Sequence, residues 1–333
     1  MNESLTDDRF SSNIVRSVAR FFYCMIKPIV MPIAFRFREF IIGDLRQALD
    51  RIDNHSTISA QRVAIPCGQD EVLLRSVSGY LLCPANDVTA LSCLIEARGD
   101  PEKGTRLVIE RVLRPGDVFV DVGAHLGIHT LAAARAMQRC GKIIALEPCE
   151  STCNFLRRTV HMNGLADITE IQQAAISNVT GELPFYLAMG SPQHSLYSFG
   201  SSGFSNDSVM VNAWKLDDIL LNQPVINLIK IDVEGAETDV IEGAALTLQR
   251  FPDIALIVEF GPTHLKRVGS KTTQEWLDVF TQFGLMYRVI NEATGGLENW
   301  TPTQLEGVDI VNLFFAREGS SAWERVQMSK PTR

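Results

Sequence analysis

A short apolar segment, followed by an acid and two glycines, holds the residues with the clearest chemical potential. The segment VFVDVGAHLGIHT, residues 118–130, contains Asp121, Gly123 and Gly127. A glycine after a strand lets the backbone turn sharply and approach a ligand closely, because no Cβ is in the way. The helix that follows presents free N–H groups and its positive dipole end to that ligand. The pattern therefore predicts a small-molecule site at the end of this strand.

A second acid, Glu147, ends the next predicted strand, KIIALEP. An acid at the tip of the second strand of such a unit binds ribose hydroxyls, so the pattern indicates a nucleoside-type cofactor. The turn GAHLG lacks the central glycine of the dinucleotide loop G-x-G-x-x-G. This absence disfavours a pyrophosphate and suits a phosphate-free cofactor, of which S-adenosylmethionine is the common example. We predict six cofactor-binding residues: Asp121, Gly123, Ala124, His125, Gly127 and Glu147.

A second acidic constellation lies in NLIKIDVEGAETDVIEGA, residues 227–244. An apolar strand ends in Asp232, and Glu234 and Glu237 follow at the start of a helix. Because the carboxyl ends of parallel strands face one crevice, we expect Asp232 and Glu234 to lie near Gly123. An early acid also stabilises a helix start, so capping is the alternative interpretation of Glu234 and Glu237.

These residues suggest a general base that removes a proton from an acceptor. Asp232 is the first candidate for the catalytic base, followed by Glu234 and His125, which could titrate near neutral pH. His194, in a long serine-rich loop, either reaches the substrate or is a solvated loop residue. Asp232 and Glu259 could instead share a divalent cation, but without a denser acid cluster a metal is not favoured, and we assign no metal ligands.

Strands and helices alternate from Asp117 onward, which indicates a parallel sheet with helices on both faces. The predicted strands are Val118–Val122, Lys142–Glu147, Ile168–Ala174, Val225–Asp232, Ile254–Phe260, Leu285–Ile290 and Ile310–Ala316. The predicted helices are Thr105–Leu113, Ile128–Arg139, Glu150–Asn163, Ala236–Gln249 and Thr273–Phe283. Extra segments are a hairpin at Glu71–Ser76 and Tyr80–Cys83 and two strands, GELPFYLAM and VMVNAW. Domain boundaries follow: an arm at 1–55, a small mixed α/β extension at 56–112, the main domain at 113–318 and a frayed polar tail at 319–333.

Composition narrows the class of protein. The 333 residues are 46% hydrophobic and 21% charged, which is ordinary for a globular chain. A formal net charge of -8 argues against a general nucleic-acid binder. The 7 cysteines are odd in number and show no CxxC spacing, which favours free thiols in the reducing cytoplasm.

The N-terminal arm has two interpretations. Every charge in residues 9–38 is positive, and apolar runs lie between these charges. Proline breaks make the stretch too short to span a bilayer comfortably. The segment could lie in the interface of the inner membrane face as a basic amphipathic helix. The alternative is a helix packed on the protein's own core, and the oligomeric state stays undetermined.

The motifs DVGAHLGIHT, LEP and IKIDVEGAE followed by VIEGA resemble the FkbM family of S-adenosylmethionine-dependent methyltransferases. The resemblance covers roughly Leu113 to Ala316. It implies a Rossmann-like, seven-stranded class I methyltransferase sheet whose last strand is antiparallel. It also implies O-methylation of a small-molecule or glycan acceptor.

Carried over by position, the family pattern places Asp121, Gly123 and Gly127 in the cofactor loop. It makes Glu147 the ribose-binding acid and groups Asp232, Glu234 and Glu237 as an acidic signature. The family usually has asparagine where this chain has His125, which leaves the loop's contact with the cofactor open. Two rival functions are a nicotinamide-dependent Rossmann oxidoreductase and a non-catalytic membrane-surface protein that keeps the fold.

Overall fold

A computed structural model describes residues 63–188, 194–198, 207–267, 269 and 271–328. The predicted N-terminal arm at 1–55 lies outside these residues, so its membrane and core interpretations remain predictions. Within the described ranges, no helix is both long enough and apolar enough to cross a bilayer.

The predicted extension forms a small antiparallel sheet and two helices. The strands are β1 (Ala64–Pro66), β2 (Glu71–Arg75) and β3 (Tyr80–Pro84), and β2 and β3 pair as the predicted hairpin. The helices are α1 (Val88–Glu96) and α2 (Lys103–Val112). Leu81 and Ile109 pack in the same buried cluster as Phe119 of the main domain. The extension therefore shares a hydrophobic core with the domain that follows it.

The main domain alternates strands and helices in the predicted order. Its first half contains β4 (Val118–Val122), α3 (Ile128–Ala136), β5 (Lys142–Leu146), α4 (Glu150–Met162), β6 (Thr169–Gln172), β7 (Ala175–Ile176), β8 (Gly181–Tyr186), β9 (Ser208–Trp214) and α5 (Leu216–Ile219). Its second half contains β10 (Leu228–Ile231), α6 (Glu237–Glu242), α7 (Ala245–Arg250), β11 (Ala255–Phe260), α8 (Pro262–Arg267), α9 (Thr273–Thr281), β12 (Met286–Ile290), β13 (Leu297–Glu298), α10 (Pro302–Leu305), β14 (Val311–Ala316) and α11 (Ser321–Met328).

The central sheet has the strand order β13-β12-β14-β11-β10-β4-β5-β6. Strands β11, β10, β4, β5 and β6 run parallel, and β14 is antiparallel to both of its neighbours, as predicted for the last strand. The sheet has eight strands in place of the predicted seven, because the two-residue β13 pairs with the end of β12. Both faces of β4, β10 and β11 are buried, so these strands are apolar throughout except at functional positions.

The predicted helix Ala236–Gln249 is divided into α6 and α7 at Gly243. A Cβ on Gly243 would lie 2.2 Å from the Ser177 carbonyl oxygen. The close approach of the Ser177 backbone requires a glycine at position 243, and α6 ends at this glycine.

A second small sheet lies beside the main one and has the order β7-β9-β8. Its strands β8 and β9 are the two extra strands predicted from the sequence, and they pair antiparallel. A bridge between Tyr186 and Ser195 continues this sheet into the serine-rich segment. Within the described part of this segment, residues 194–198, Ser195 Oγ donates to the Glu234 carbonyl oxygen at 2.8 Å.

The chain end differs from the prediction of a frayed polar tail. Residues Ser321–Met328 form α11, and its Ala322, Trp323 and Val326 are buried. Arg325 donates to the Asp117 carboxylate at 2.8 Å and to the Val112 carbonyl at 2.9 Å. A short helix needs apolar residues on one face only, so the largely polar sequence of this segment did not indicate that the helix packs against the domain.

Shortening the buried Val326 tests whether this helix is docked. We expect Val326→Ala to lower the free energy of unfolding by about 1–2 kcal/mol, since two buried methyl groups are removed. The matched control is Gln327→Ala on the exposed side of the same helix, where we expect a change within about 0.5 kcal/mol. Urea unfolding measures both variants, and equal values would contradict the docked helix.

Candidate active site

A cavity opens at the carboxyl edge of β4, β5 and β10, and it encloses about 1080 Å³ including its open mouth. Four acids line it: Glu102, Glu147, Asp232 and Glu234. Three histidines also line it: His125, His129 and His194. No lysine or arginine of the described ranges lines the cavity, so its wall is suited to a cation and not to a polyphosphate.

Gly123 has φ +80° and donates its N–H to the Leu146 carbonyl oxygen at 2.9 Å. A Cβ on this residue would lie 1.8 Å from the Asp232 carbonyl oxygen. The sequence predicts that this glycine lets a ligand approach closely, and the structure shows that it also admits the backbone after β10. Gly123 therefore lets the segments that carry the two acidic constellations pack closely, because any side chain would push these segments apart.

Two of the predicted cofactor residues shape the turn without lining the cavity. Asp121 is 1% exposed, and its Oδ2 accepts a hydrogen bond from Thr130 Oγ1 at 2.6 Å. Gly127 is the residue before α3 and has φ +95°. These residues fix β4 to its helix, while Gly123, Ala124, His125 and Glu147 line the cavity.

Glu147 faces the cavity from the end of β5 with a buried carboxyl group. Its Oε2 accepts from the His125 N–H, and its Oε1 accepts from the Cys149 N–H, both at 3.0 Å. Burial raises the pKa of Glu147 to about 8, although these two backbone donors oppose the rise. Each carboxylate oxygen has two lone pairs, so both can accept a further hydrogen bond from a ligand.

The raised pKa of Glu147 predicts a pH dependence of cofactor affinity. Two ribose hydroxyls donating to this carboxylate would favour its ionised form, so binding should release a proton. Below pH 8, the association constant of S-adenosylmethionine should rise by up to about tenfold per pH unit, and it should level off above pH 8. Calorimetry between pH 6 and pH 9 measures this slope.

Two variants identify the titrating group. Glu147→Gln should abolish the slope, since the amide does not ionise. The neighbouring Cys149 also titrates in this range: burial raises its pKa, but hydrogen bonds from His194 and Ser151 outweigh burial and lower it to about 6. Cys149→Ser should retain the slope. A slope that persists in Glu147→Gln would exclude this carboxyl group as its source.

His125 lies in the left-handed region, with φ +48°, and its imidazole lines the cavity. Burial lowers the pKa of His125 to about 4. The imidazole is therefore neutral at pH 7, and the expectation that it titrates near neutral pH is wrong. A neutral ring can accept or donate a hydrogen bond, as the asparagine usual at this position could.

Asp232 lines the cavity immediately after β10, and its Oδ2 accepts from Lys230 Nζ at 3.1 Å. Lys230 is fully buried. Burial alone would lower the pKa of Lys230, but Asp232 and Glu102 outweigh it and raise this pKa. A buried ammonium ion thus fixes one carboxylate oxygen of Asp232 and leaves the other available to a ligand.

Sequence reasoning missed a Glu102–His129 pair beside Asp232. His129 Nε2 lies 3.2 Å from Glu102 Oε2, and Asn312 Nδ2 donates to the same carboxylate at 2.9 Å. Burial opposes ionisation of Glu102, yet His129 outweighs it and lowers the pKa of Glu102. The sequence does show that His129 lies in the first turn of the helix after the glycine turn, and this position could have marked it as a candidate. Glu102 precedes the alternating region, and no motif marks it.

Glu234 lines the cavity and also belongs to a second cluster. Its Oε2 lies 3.1 Å from His264 Nε2, and the ligand atoms of Glu234, Glu259 and His264 all lie within 4.8 Å of one another. Asp232 groups with Glu102 and His129 in a separate cluster. The pair Asp232 and Glu259, considered from the sequence as shared metal ligands, is thus divided between two clusters.

Glu237 is the first residue of α6, and no side chain of the described residues makes a cap hydrogen bond at the start of this helix. Its Oε1 accepts the N–H of Gly235 at 2.8 Å, and the residue is 2% exposed. Burial raises the pKa of Glu237 to about 7. It stabilises the turn before α6 and does not line the cavity.

His194 is placed at the cavity by the serine-rich segment. Its Nδ1 accepts the Ala188 N–H at 3.0 Å, and its ring packs edge-on against Phe185 with centroids 6.0 Å apart. Of the two interpretations given above, the position beside the cavity agrees with a residue that reaches the substrate.

Comparisons with known proteins agree with this geometry. A family model described as "Methyltransferase FkbM domain" matches residues 121–292, which is more than half of the chain. A probable cobalt-precorrin-6B C(15)-methyltransferase (decarboxylating) from Halobacterium salinarum is 25% identical over 206 residues, which cover 61% of this chain and 94% of that protein.

Among solved structures, methyltransferase FkbM from Methylobacillus flagellatus KT has 14% identity and a TM-score of 0.42. The match covers 70% of this chain and 55% of that one, so this chain spans just over half the length of that protein. An S-adenosylmethionine-dependent O-methyltransferase from Thermotoga maritima has 14% identity and a TM-score of 0.39, with 74% of this chain and 77% of that chain covered.

Proposed function

Since the chain belongs to the FkbM family of S-adenosylmethionine-dependent methyltransferases, we propose that it methylates a hydroxyl oxygen of a sugar, glycan or related natural product. One observation carries the proposal: the carboxylate of Asp232 and the neutral imidazole of His125 both line the cofactor cavity. Methyl transfer to oxygen needs an acceptor for the hydroxyl proton, and these two groups can take it.

The cavity has groups suited to each part of the cofactor. The free lone pairs of Glu147 suit the two ribose hydroxyls. Pro148, Ala174 and Phe185 give the same cavity an apolar wall for a purine ring. The other lining acids suit the positively charged methionine end. The missing central glycine of the turn disfavours the rival nicotinamide cofactor, because the pyrophosphate of a dinucleotide lies against that glycine.

When bound, S-adenosylmethionine supplies an electrophilic methyl group on a sulfonium ion. The chain's own contribution is to hold the acceptor oxygen in line with that methyl group, which can supply several kcal/mol. Lys230 fixes the orientation of Asp232 through their 3.1 Å hydrogen bond. The second oxygen of Asp232 would receive the hydroxyl proton as the acceptor oxygen takes the methyl group and the bond between that methyl group and the sulfonium sulfur breaks, which would leave a neutral thioether.

Radiolabelled methyl transfer tests the proposed function. Purified chain and labelled S-adenosylmethionine are incubated with extracts fractionated into sugars, glycans and lipids. We expect a labelled product whose tandem mass spectrum places the methyl group on oxygen. A methyl group on carbon, the kind of product that the name of the Halobacterium relative indicates for that protein, would contradict O-methylation. Absence of cofactor binding in calorimetry would favour the non-catalytic alternative.

A further inference from the structure

Glu234, Glu259 and His264 form a cluster beside the cavity. We name this cluster the second acid cluster. From its geometry we infer that this cluster binds one divalent transition-metal cation. Glu234 follows β10, Glu259 lies near the end of β11, and His264 lies on α8. All three therefore converge at the carboxyl edge of the sheet, where ligands of this fold bind.

The spacing of the ligand atoms agrees with a shared cation. Oxygen and nitrogen ligands about 2.0–2.2 Å from a metal lie about 3.0–3.6 Å apart when they are neighbours. Glu234 Oε2 and His264 Nε2 are 3.1 Å apart, and no pair among the three ligand atoms exceeds 4.8 Å. The cluster thus needs little rearrangement to coordinate an ion.

A buried oxygen without a partner is the independent observation. Glu259 is 9% exposed, and its Oε2 accepts no hydrogen bond from the described residues. A buried carboxylate without a donor or cation is costly, by several kcal/mol. Since one carboxylate oxygen of Glu259 converges with the ligand atoms of Glu234 and His264, a cation among these atoms would compensate the burial of this carboxylate.

The cluster beside Asp232 provides a contrast within the same chain. Glu102, His129 and Asp232 also converge within 4.8 Å. There, however, Lys230 Nζ already donates to Asp232, and Asn312 donates to Glu102. In that cluster, hydrogen bonds from a lysine ammonium and an amide already hold two of the carboxylates, so a metal ion would have to displace them.

The ligand set indicates the class of ion. One imidazole and two carboxylates suit Zn²⁺, Co²⁺, Mn²⁺ or Fe²⁺, whereas Mg²⁺ and Ca²⁺ prefer oxygen ligands alone. Three protein ligands leave coordination positions open, as in catalytic sites and unlike closed structural ones. Because Glu234 also lines the cavity, an ion here would lie close enough to polarise an acceptor hydroxyl.

Direct metal binding tests the inference without an acceptor or a cofactor. The untagged full chain is stripped with EDTA, desalted and titrated with Co²⁺ by calorimetry and visible absorption. We expect one Co²⁺ per chain, with d–d bands that change on loss of the imidazole in His264→Gln. Glu259→Gln should weaken binding at least tenfold, and Glu102→Gln, in the contrasting cluster, should bind as the unmodified chain does.

Three outcomes would overturn the site: no stoichiometric Co²⁺ binding, equal affinity in Glu259→Gln, or equal loss in Glu102→Gln. The last would indicate binding at the other cluster. Thermal unfolding verifies that each variant is folded, and His264→Gln replaces Glu259→Gln if the latter does not fold.

A chain that transfers methyl groups but binds no Co²⁺ overturns only the metal site. A chain that binds Co²⁺ but transfers no methyl group overturns only the proposed function.

Discussion

Asp232→Asn is expected to slow methyl transfer by about 10²–10⁴-fold, the range in which a positioned general base contributes. The amide is nearly isosteric with the carboxylate, but it cannot take the acceptor's proton. Asparagine can still accept the hydrogen bond that Lys230 now donates at 3.1 Å. The affinity for S-adenosylmethionine should therefore change much less than the rate.

The rate is measured as labelled methyl incorporated from S-adenosylmethionine into the fractionated acceptor, and the affinity is measured by calorimetry. Asp218→Asn, an exposed aspartate that accepts from Thr180 Oγ1 at 2.9 Å, makes the same chemical change away from the cavity and should retain full activity. An unchanged rate in Asp232→Asn with intact cofactor binding would exclude Asp232 as the base. Glu234→Gln and His125→Asn would then be the next variants, because both residues line the cavity and are the remaining candidates for the base.

The sheet and the cofactor turn could be predicted from local sequence signals. Strands buried on both faces are continuous apolar runs, and the acids at their ends are the exceptions within those runs. Glu147 and Asp232 were identified in this way, and both line the cavity. Lys230 carried a comparable signal, since a lysine inside the apolar run NLIKI must be paired when buried.

The other parts of the candidate site depend on contacts between distant segments of the chain, which no local sequence pattern encodes. Glu102 meets His129 because α2 packs against the main domain. His264 meets Glu234 because α8 returns across the carboxyl edge of the sheet. A second reason for glycine at position 123 was not visible for the same cause: its φ requirement is local, but the carbonyl oxygen that excludes a side chain comes from Asp232.

Gly123→Ala should therefore be among the most destabilising single substitutions in this chain. A left-handed backbone costs a non-glycine residue about 1–2 kcal/mol. The new methyl group would also lie 1.8 Å from the Asp232 carbonyl oxygen, which is backbone and cannot rotate away. We expect a total loss of about 4 kcal/mol or more in the free energy of unfolding. The displaced Asp232 loop should also lower the affinity for S-adenosylmethionine.

Gly116→Ala separates the two contributions. Gly116 has φ +93°, close to the φ +80° of Gly123, but nothing lies within 4 Å of its Cβ position. Urea unfolding should therefore give a loss of about 1–2 kcal/mol for Gly116→Ala, from backbone conformation alone. The excess loss in Gly123→Ala measures the contact with Asp232. Equal losses in the two variants would mean that the close packing of the segments after β4 and β10 at this glycine does not contribute to stability. Gly123 would then not be what holds the two acidic constellations together.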